Sequence, residues 1–351
     1  MRIFEENFPI EIHPGLLPGK ASETVFFDIE TTGFSGQSAY LYLIGCIFFN
    51  HKTWRIRQWF LDDPTSEKEL LLSFFDFIGG YTWLVHFNGS AFDIPFIEKR
   101  LERYRLAKSF SFFESLDLYK EIRAYKKPLG LASVKQKELE EYLGIRRADP
   151  FSGGELIDVY YEYIDTHREA LLSCLLLHNA DDLRGMLSIL PLYGLALLLK
   201  GDFAVRTCIQ GTDSLDFCLD TELPLPPSAK LSFCNCRLTV QSGQITAQVP
   251  LAKETMKYFY TNYKDYYYLP DEDQAIHKSV AAFVDRAHRK AATPASCYAK
   301  RSSVFLPVKD REFTSRIFRR EYKEKTYFLE LTRKFLDDKE LQRKYLLQLF
   351  M

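Results

Sequence analysis

The stretch TVFFDIETTG, residues 24–33, sets two acids at the end of an apolar run. Its first seven residues are mostly β-branched or aromatic and lead into the turn signal TTGFSG, so they predict a strand. On a strand, Asp28 and Glu30 leave the same face, about 6–7 Å apart along the backbone. Two carboxylates on one face of an apolar strand are costly to bury unless positive charge lies between them, and a metal ion is the simplest candidate. The alternative is that the strand's last turn is exposed and Glu30 faces water.

Downstream, YLYLIGCIFF and TWRIRQWFL, separated by NHK, predict two more strands and a three-stranded meander. SEKELLLSFFDFIG has helical apolar spacing, with Ser66 as candidate cap and Glu69 three residues on. TWLVHF predicts a fourth strand, Asn88-Gly89 a turn, and DIPFIEKRLERYRL a helix with Pro95 in its first turn, where proline is tolerated. Asp93 therefore falls near a helix start, where a lone acid also simply complements the positive end. Residues 115–200 are mostly helical in pattern, including LASVKQKELEEYLG and LLSCLLLHNADDLRGMLSILPLYGLALLL. There His178 and Asp182 are four apart and share a face, while Asp181 is turned one step toward solvent. A lone histidine on a helix is also commonly structural. Strands followed by helices indicate an α/β or mixed domain.

Taken in order, Asp-x-Glu on a first strand, an Asp after a later strand and His-x-x-x-Asp on a late helix resemble the DEDD exonucleases of the ribonuclease H-like fold. DIETTG resembles the first motif of that family, HFNGSAFDIPF the second and HNADD the third. The run from about 20 to 200, with YLIG after the first motif and FSGGELIDVYYEYI before the third, is similar to the bacterial YprB-type ribonuclease H-like domain. The resemblance implies a mixed central sheet flanked by helices. It also implies a 3′–5′ exonuclease acting on DNA or RNA, single-stranded or at a 3′ end. Asp28, Glu30, Asp93 and Asp182 would hold two Mg²⁺ or Mn²⁺ ions, hard cations that take oxygen ligands. His178 would be the general base. In that superfamily the base is a His five residues before the last Asp or a Tyr four before it; here a His stands at the four-residue spacing. Thr31 and Asn88 would contact the nucleic acid. Gly33 would line the cleft, although turn geometry explains it equally well, and His86 and Asn88 are candidates for supporting the ligands.

Of the 351 residues, 46% are hydrophobic and 26% charged, which is ordinary for a globular chain with a sizeable core and argues against disorder. The opening lacks the layout of a secretory signal and no run of about 18 apolar residues stands out, so no membrane contact and a cytoplasmic location are expected. The seven cysteines, an odd number scattered from Cys46 to Cys297, fit free thiols. Cys208, Cys218, Cys234 and Cys236 could in principle bind zinc, but their spacing matches no ribbon or knuckle.

Near residue 200 the texture changes. Loop signals in KGDFAVRTCIQGTDSLDF and TELPLPPSAK precede a predicted hairpin around QSGQ, then a predicted helix HKSVAAFVDRAHRKAA and a charged helical C-terminus. The expected division is an N-terminal extension over 1–22, the ribonuclease H-like domain over 23–200 and an α+β accessory domain over 201–351. The net charge of −1 hides an asymmetry, because residues 278–351 carry 18 Lys and Arg against 9 Asp and Glu. That surplus is a candidate polyanion contact, although a solvated helix face gives the same count. The run Tyr258, Tyr260, Tyr263, Tyr266, Tyr267 and Tyr268, interleaved with Lys257 and Lys264, could stack unpaired bases or serve packing or a protein partner. Lys257, Tyr263, Lys264 and Lys278 are the candidate nucleic-acid contacts there. The reading that competes with the nuclease is a catalytically weak nucleic-acid-binding or scaffolding protein that keeps the fold.

Overall fold

The computed structural model describes residues 1–145 and 153–350. Phe151 and Ser152, which open FSGGELIDVYYEYI, lie outside the described residues. Two compact units are formed, Met1–Leu197 with Glu222–Pro226, and Leu198–Thr221 with Pro227–Met351.

The first unit is built on β1 (Arg2–Asn7), β2 (Thr24–Thr31), β3 (Leu41–Asn50), β4 (Thr53–Phe60), β5 (Trp83–His86) and β6 (Glu114–Asp117). Its helices are α1 (Glu67–Ile78), α2 (Asp93–Tyr104), α3 (Leu118–Arg123), α4 (Gln136–Tyr142), α5 (Gly153–Thr166), α6 (Glu169–Ser188) and α7 (Leu190–Leu199). The sheet order is β1-β4-β3-β2-β5-β6. The meander β2-β3-β4 is antiparallel, and β5 and β6 add to β2 in parallel, so the sheet is mixed. Residues 2–7 are not an extension. They pair with β4 as the edge strand, a role that RIFEEN conceals because edge strands carry charge.

β2 is central and buried on both faces, which accounts for its unbroken apolar run. Val25, Phe27 and Ile29 join the core around α1 and α2, whereas Phe26 joins the core built with α6 and α7. Alternation therefore turns Asp28 and Glu30 toward α6. That helix comes unusually close, since a Cβ added at Gly45, directly across from Asp28, would lie 1.9 Å from the Asn179 side-chain oxygen. The stretch Glu169–Leu199 is long and apolar enough to cross a membrane, which simple inspection of the sequence did not bring out. Here 72% of its most apolar window is buried inside the protein.

A buried ion pair braces α2. Glu67, fully buried, accepts from Leu41 N (2.9 Å), Arg100 Nε (2.7 Å) and Tyr104 Oη (2.8 Å), and also pairs with Arg100 Nη2. Arg100 Nη1 donates to Gly36 O at 3.1 Å. One carboxylate thus ties α1, α2 and the loop after β2 together.

The second unit is sheet-rich. Strands β7 (Ala204–Gln210), β8 (Ser214–Asp220), β9 (Ser228–Phe233), β10 (Cys236–Gln241) and β11 (Gln244–Pro250) form one sheet in the order β7-β8-β11-β10-β9. The expected hairpin is β10–β11, turning at Ser242 and Gly243, both with positive φ. Next come β12 (Ala252–Phe259), β13 (Tyr266–Leu269), β14 (Gln274–His277), β15 (Lys290–Ala291), β16 (Tyr298–Val308), β17 (Phe318–Arg319) and β18 (Tyr327–Glu330). Strands β12-β16-β18-β17 close into a barrel, and β14-β13-β15 form a small sheet. The helix expected over 277–292 is replaced by two 3-10 turns, Ala281–Phe283 and Arg286–His288, and by β15. Val280 and Phe283 stay 55% and 93% exposed, so a helix here would have had no apolar face to bury. The charged C-terminus is helical only in α8 (Arg333–Asp337) and α9 (Lys339–Phe350). Before them, residues 298–330 contribute barrel strands whose alternation is masked by exposed Lys and Arg.

If the ion pair fixes α2, Glu67→Ala leaves Arg100 as an unpaired buried charge and should cost about 3–5 kcal/mol in urea unfolding. Glu67→Ala combined with Arg100→Met should cost clearly less. A single variant as stable as wild type would remove the brace from the account.

Candidate metal centre

Four chain segments meet at the end of β2. The β2–β3 register steps from Glu30 opposite Leu43 to Thr31 opposite Leu41, so Tyr42 is the extra residue of a bulge. Its buried hydroxyl faces Glu30, and its ring stacks on Tyr160 at 4.4 Å. The bulge shifts the register directly after the two acids, and pairing resumes beyond it, with Thr31 opposite Leu41 and Thr32 N donating to Tyr40 O at 3.0 Å.

Asp93 is the first residue of α2 and is 7% exposed. Burial pushes its carboxyl up to about 7, against hydrogen bonds from its own and the Ile29 N–H groups, and the charges of Asp117 and Asp182 push the same way as burial. The Ile29 hydrogen bond ties α2 to β2 between Asp28 and Glu30. The turn before α2 is held just as closely. Asn88 adopts φ 62°, and a side chain at Gly89 would strike the His86 ring. Asp117, at the end of β6, accepts from Asn88 N (2.9 Å), Tyr119 N (3.1 Å) and the Ser90 hydroxyl. Burial pushes His86 down to about 4, so it is neutral. Its Nδ1 accepts from Gly89 N at 3.1 Å, which leaves the proton on Nε2 for Ser115 Oγ at 2.7 Å.

α6 supplies the rest. His178, 4% exposed, places Nε2 at 3.7 Å from Glu30 Oε1 and 3.4 Å from Asp182 Oδ2. Glu30, His178 and Asp182 each offer a ligand atom within 4.8 Å of the others, the group of this kind found among the described residues. Asp28 is pushed well above the usual carboxylate range by burial first, then by the charges of Asp182, Asp93 and Glu30. Asp28 therefore feels the charge of each of the other three predicted acids. Asn179 opposes this by donating to Asp28 Oδ2 at 3.1 Å, and Gln58 Nε2 fixes Asn179 by donating to its oxygen at 3.0 Å and to Leu176 O at 2.8 Å. Asp181, expected to face solvent, is instead partly withdrawn beside Arg184 at 2.9 Å.

The donor set fits hard divalent cations. Carboxylate oxygens dominate it, one imidazole is present, and clustered like charges are what a cation would neutralise. Thr31 donates its hydroxyl to Gly33 O at 2.9 Å and so shapes the turn beyond the acids. Asn88 enters through its backbone. Asn179, Gln58, Gly45, Tyr42 and Asp117 were not singled out in the sequence. Asn179 stands three residues before Asp182, on the same face, and Tyr42 and Gly45 are the first and last residues of YLIG; Gln58 and Asp117 carried no signal. Phe34 was also missed: it is 94% exposed and meets Phe92, the residue before Asp93, edge-on at 6.2 Å.

In the second unit the candidate contacts separate. Lys257 Nζ is engaged by Glu321 at 2.7 Å and lies 4.8 Å over Tyr298. Tyr263 and Lys264 lie in the 3-10 turn Tyr263–Asp265. Lys278 lies 5.5 Å over Tyr267.

Known proteins resemble parts of the chain. Residues 25–193 match the RNase_H_2 family of the RNase_H superfamily. The uncharacterized protein YprB of Bacillus subtilis (strain 168) is 33% identical over 167 residues, 47% of this chain and 40% of that protein. The chain thus spans well under half the length of this relative. Among solved structures, the family B DNA polymerase of Pyrobaculum calidifontis aligns at 12% identity over 73% of this chain and 39% of its own, with a TM-score of 0.40. E. coli exonuclease I in complex with an oligonucleotide aligns at 13% identity over 55% and 54%, with a TM-score of 0.28. With its six-stranded mixed sheet, flanking helices and matched stretch, the first unit is a ribonuclease H-like domain.

Proposed function

We propose that the protein is a metal-dependent nuclease that removes nucleotides from the 3′ end of DNA or RNA. The observation that carries this reading is the convergence of Asp28, Glu30, Asp93 and Asp182, from β2, α2 and α6, with His178 Nε2 among them. The four carboxylates would hold two Mg²⁺ or Mn²⁺ ions. When bound, these ions lower the pKa of water and neutralise charge on the scissile phosphate and the leaving oxygen.

The remaining steps belong to the chain's own residues. In hydrolysis a water oxygen bonds to phosphorus as the bond to the preceding nucleotide's O3′ breaks. His178 Nε2 takes the water's proton, and the O3′ takes one from solvent. Asn179 holds Asp28 in place, and Gln58 holds Asn179, so the strand's first acid keeps one orientation. Phe34, exposed beside Phe92, offers a ring on which the terminal base can stack.

End-labelled single-stranded DNA and RNA test the reading. Wild-type protein with Mn²⁺ should shorten one of them stepwise from the 3′ end, with no shortening in chelator or by Asp28→Asn. Absence of cleavage of both substrates by a folded, Mn²⁺-supplied protein would refute the nuclease. His178→Ala should lower cleavage by roughly 10²–10⁴-fold while Mn²⁺ affinity, read by calorimetry, changes little. Unchanged cleavage would deny His178 the role of base, and loss of Mn²⁺ binding would make it a ligand instead.

A further inference from the structure

The tyrosine run of the second unit is not one surface. In β13, Tyr266 and Tyr268 share a face and Tyr267 takes the other. Tyr258, near the end of β12, meets Tyr260 edge-on, with ring centroids 5.2 Å apart. Tyr260 stacks on Tyr266 at 4.5 Å with planes 16° apart, and Tyr266 meets His277 of β14 edge-on at 5.2 Å. These rings form a continuous strip from the barrel to the small sheet. A strip serving only as core would be buried, yet all three tyrosines are half-exposed and His277 is exposed.

The cations along the strip fall into two groups. Lys257, Lys300, Arg301 and Arg320 are each paired with a carboxylate. Arg316, exposed at the barrel end, is not. Its guanidinium lies 5.4 Å over the Tyr258 ring and 5.5 Å over Phe318; Glu330, which Arg301 engages at 2.7 Å, is near enough to feel its charge, but no carboxylate among the described residues is in ion-pairing distance. On the other face of β13, Lys278 and Arg289 lie 5.5 and 4.9 Å from the Tyr267 ring centre, also without a carboxylate partner among the described residues. Arg289 already donates Nη1 to Ala281 O, whereas no such bond engages the Arg316 guanidinium among the described residues, and its N–H groups match phosphate oxygens. Half-exposed rings beside such a guanidinium suit a strand whose bases are unpaired, because only unpaired bases present their faces for stacking.

We propose that the strip Arg316–Tyr258–Tyr260–Tyr266–His277 binds single-stranded nucleic acid, with bases stacked on the tyrosines and a phosphate on Arg316. The inference rests on nucleic acid being the substrate of the first unit, and it assigns the second unit a holding site that needs no metal. The charge balance of residues 278–351, 18 Lys and Arg against 9 Asp and Glu, favours the same partner.

The test is fluorescence anisotropy of labelled oligothymidine and oligouridine with the full-length chain in chelator, where no metal-dependent cleavage occurs. Tyr260→Ala with Tyr266→Ala should weaken binding about tenfold or more, while Tyr260→Phe with Tyr266→Phe, which keeps the rings, should bind like wild type. Arg316→Ala should lower the slope of log affinity against log salt by about 0.7, the share of one single-strand phosphate. Tighter binding of one oligonucleotide would tell DNA from RNA. The inference is overturned if the wild-type protein binds neither oligonucleotide, or if the alanine pair melts and binds like wild type. Strip-dependent binding by a protein that cleaves nothing would uphold the strip and refute the nuclease. Cleavage with strip-independent binding would do the reverse.

Discussion

The first unit is organised around a repulsion. Four carboxylates are drawn together at the end of an apolar strand, where burial alone already disfavours the charges of Asp28 and Asp93. A fold gains nothing from this by itself, because like charges in a poorly solvated site raise the energy of the native state. Much of the surrounding structure offsets that cost. Gly45 lets α6 approach closely enough for Asn179 to reach Asp28, Gln58 anchors Asn179, and the Ile29 N–H steadies Asp93. Further out, the Glu67–Arg100 pair and the Asp117 turn fix the two ends of α2. Strain kept at one place and balanced elsewhere is the pattern expected of a functional site.

The bulge at Tyr42 links this electrostatics to topology. One extra residue on β3 shifts the register after Glu30 and brings an aromatic hydroxyl against it. The bulge therefore falls directly after the acids, while their backbone remains in the centre of the sheet.

How much of this was legible depended on the scale of the signal. The β2–β3–β4 meander, α2 and the long helices follow from period and turn chemistry, and Asp28, Glu30, Asp93, His178 and Asp182 stand out as polar residues at apolar or helix-start positions. The supporting residues were hidden because their meaning is tertiary. Gln58 looks like a surface residue of a strand, Asp117 like an ordinary helix cap, and Glu67 like a helix-start acid, yet each is buried with specific partners. β1 was missed because edge strands are charged, and the 277–292 segment was misread because helical periodicity requires an apolar surface to dock on. In the barrel, lysines and arginines on the outer positions of β16 and β17 obscured the alternation.

The account stands or falls on whether the carboxylate cluster is built for cations at the expense of the metal-free protein. Thermal melts of wild type and Asp28→Asn, each in chelator and in saturating Mn²⁺, measure this directly. Removing one charge from the cluster should leave the variant at least as stable as wild type in chelator, and Mn²⁺ should raise the wild-type Tm well above that of the variant, so that the order reverses. If Mn²⁺ shifts neither protein, or shifts both equally, the cluster is not a cation site.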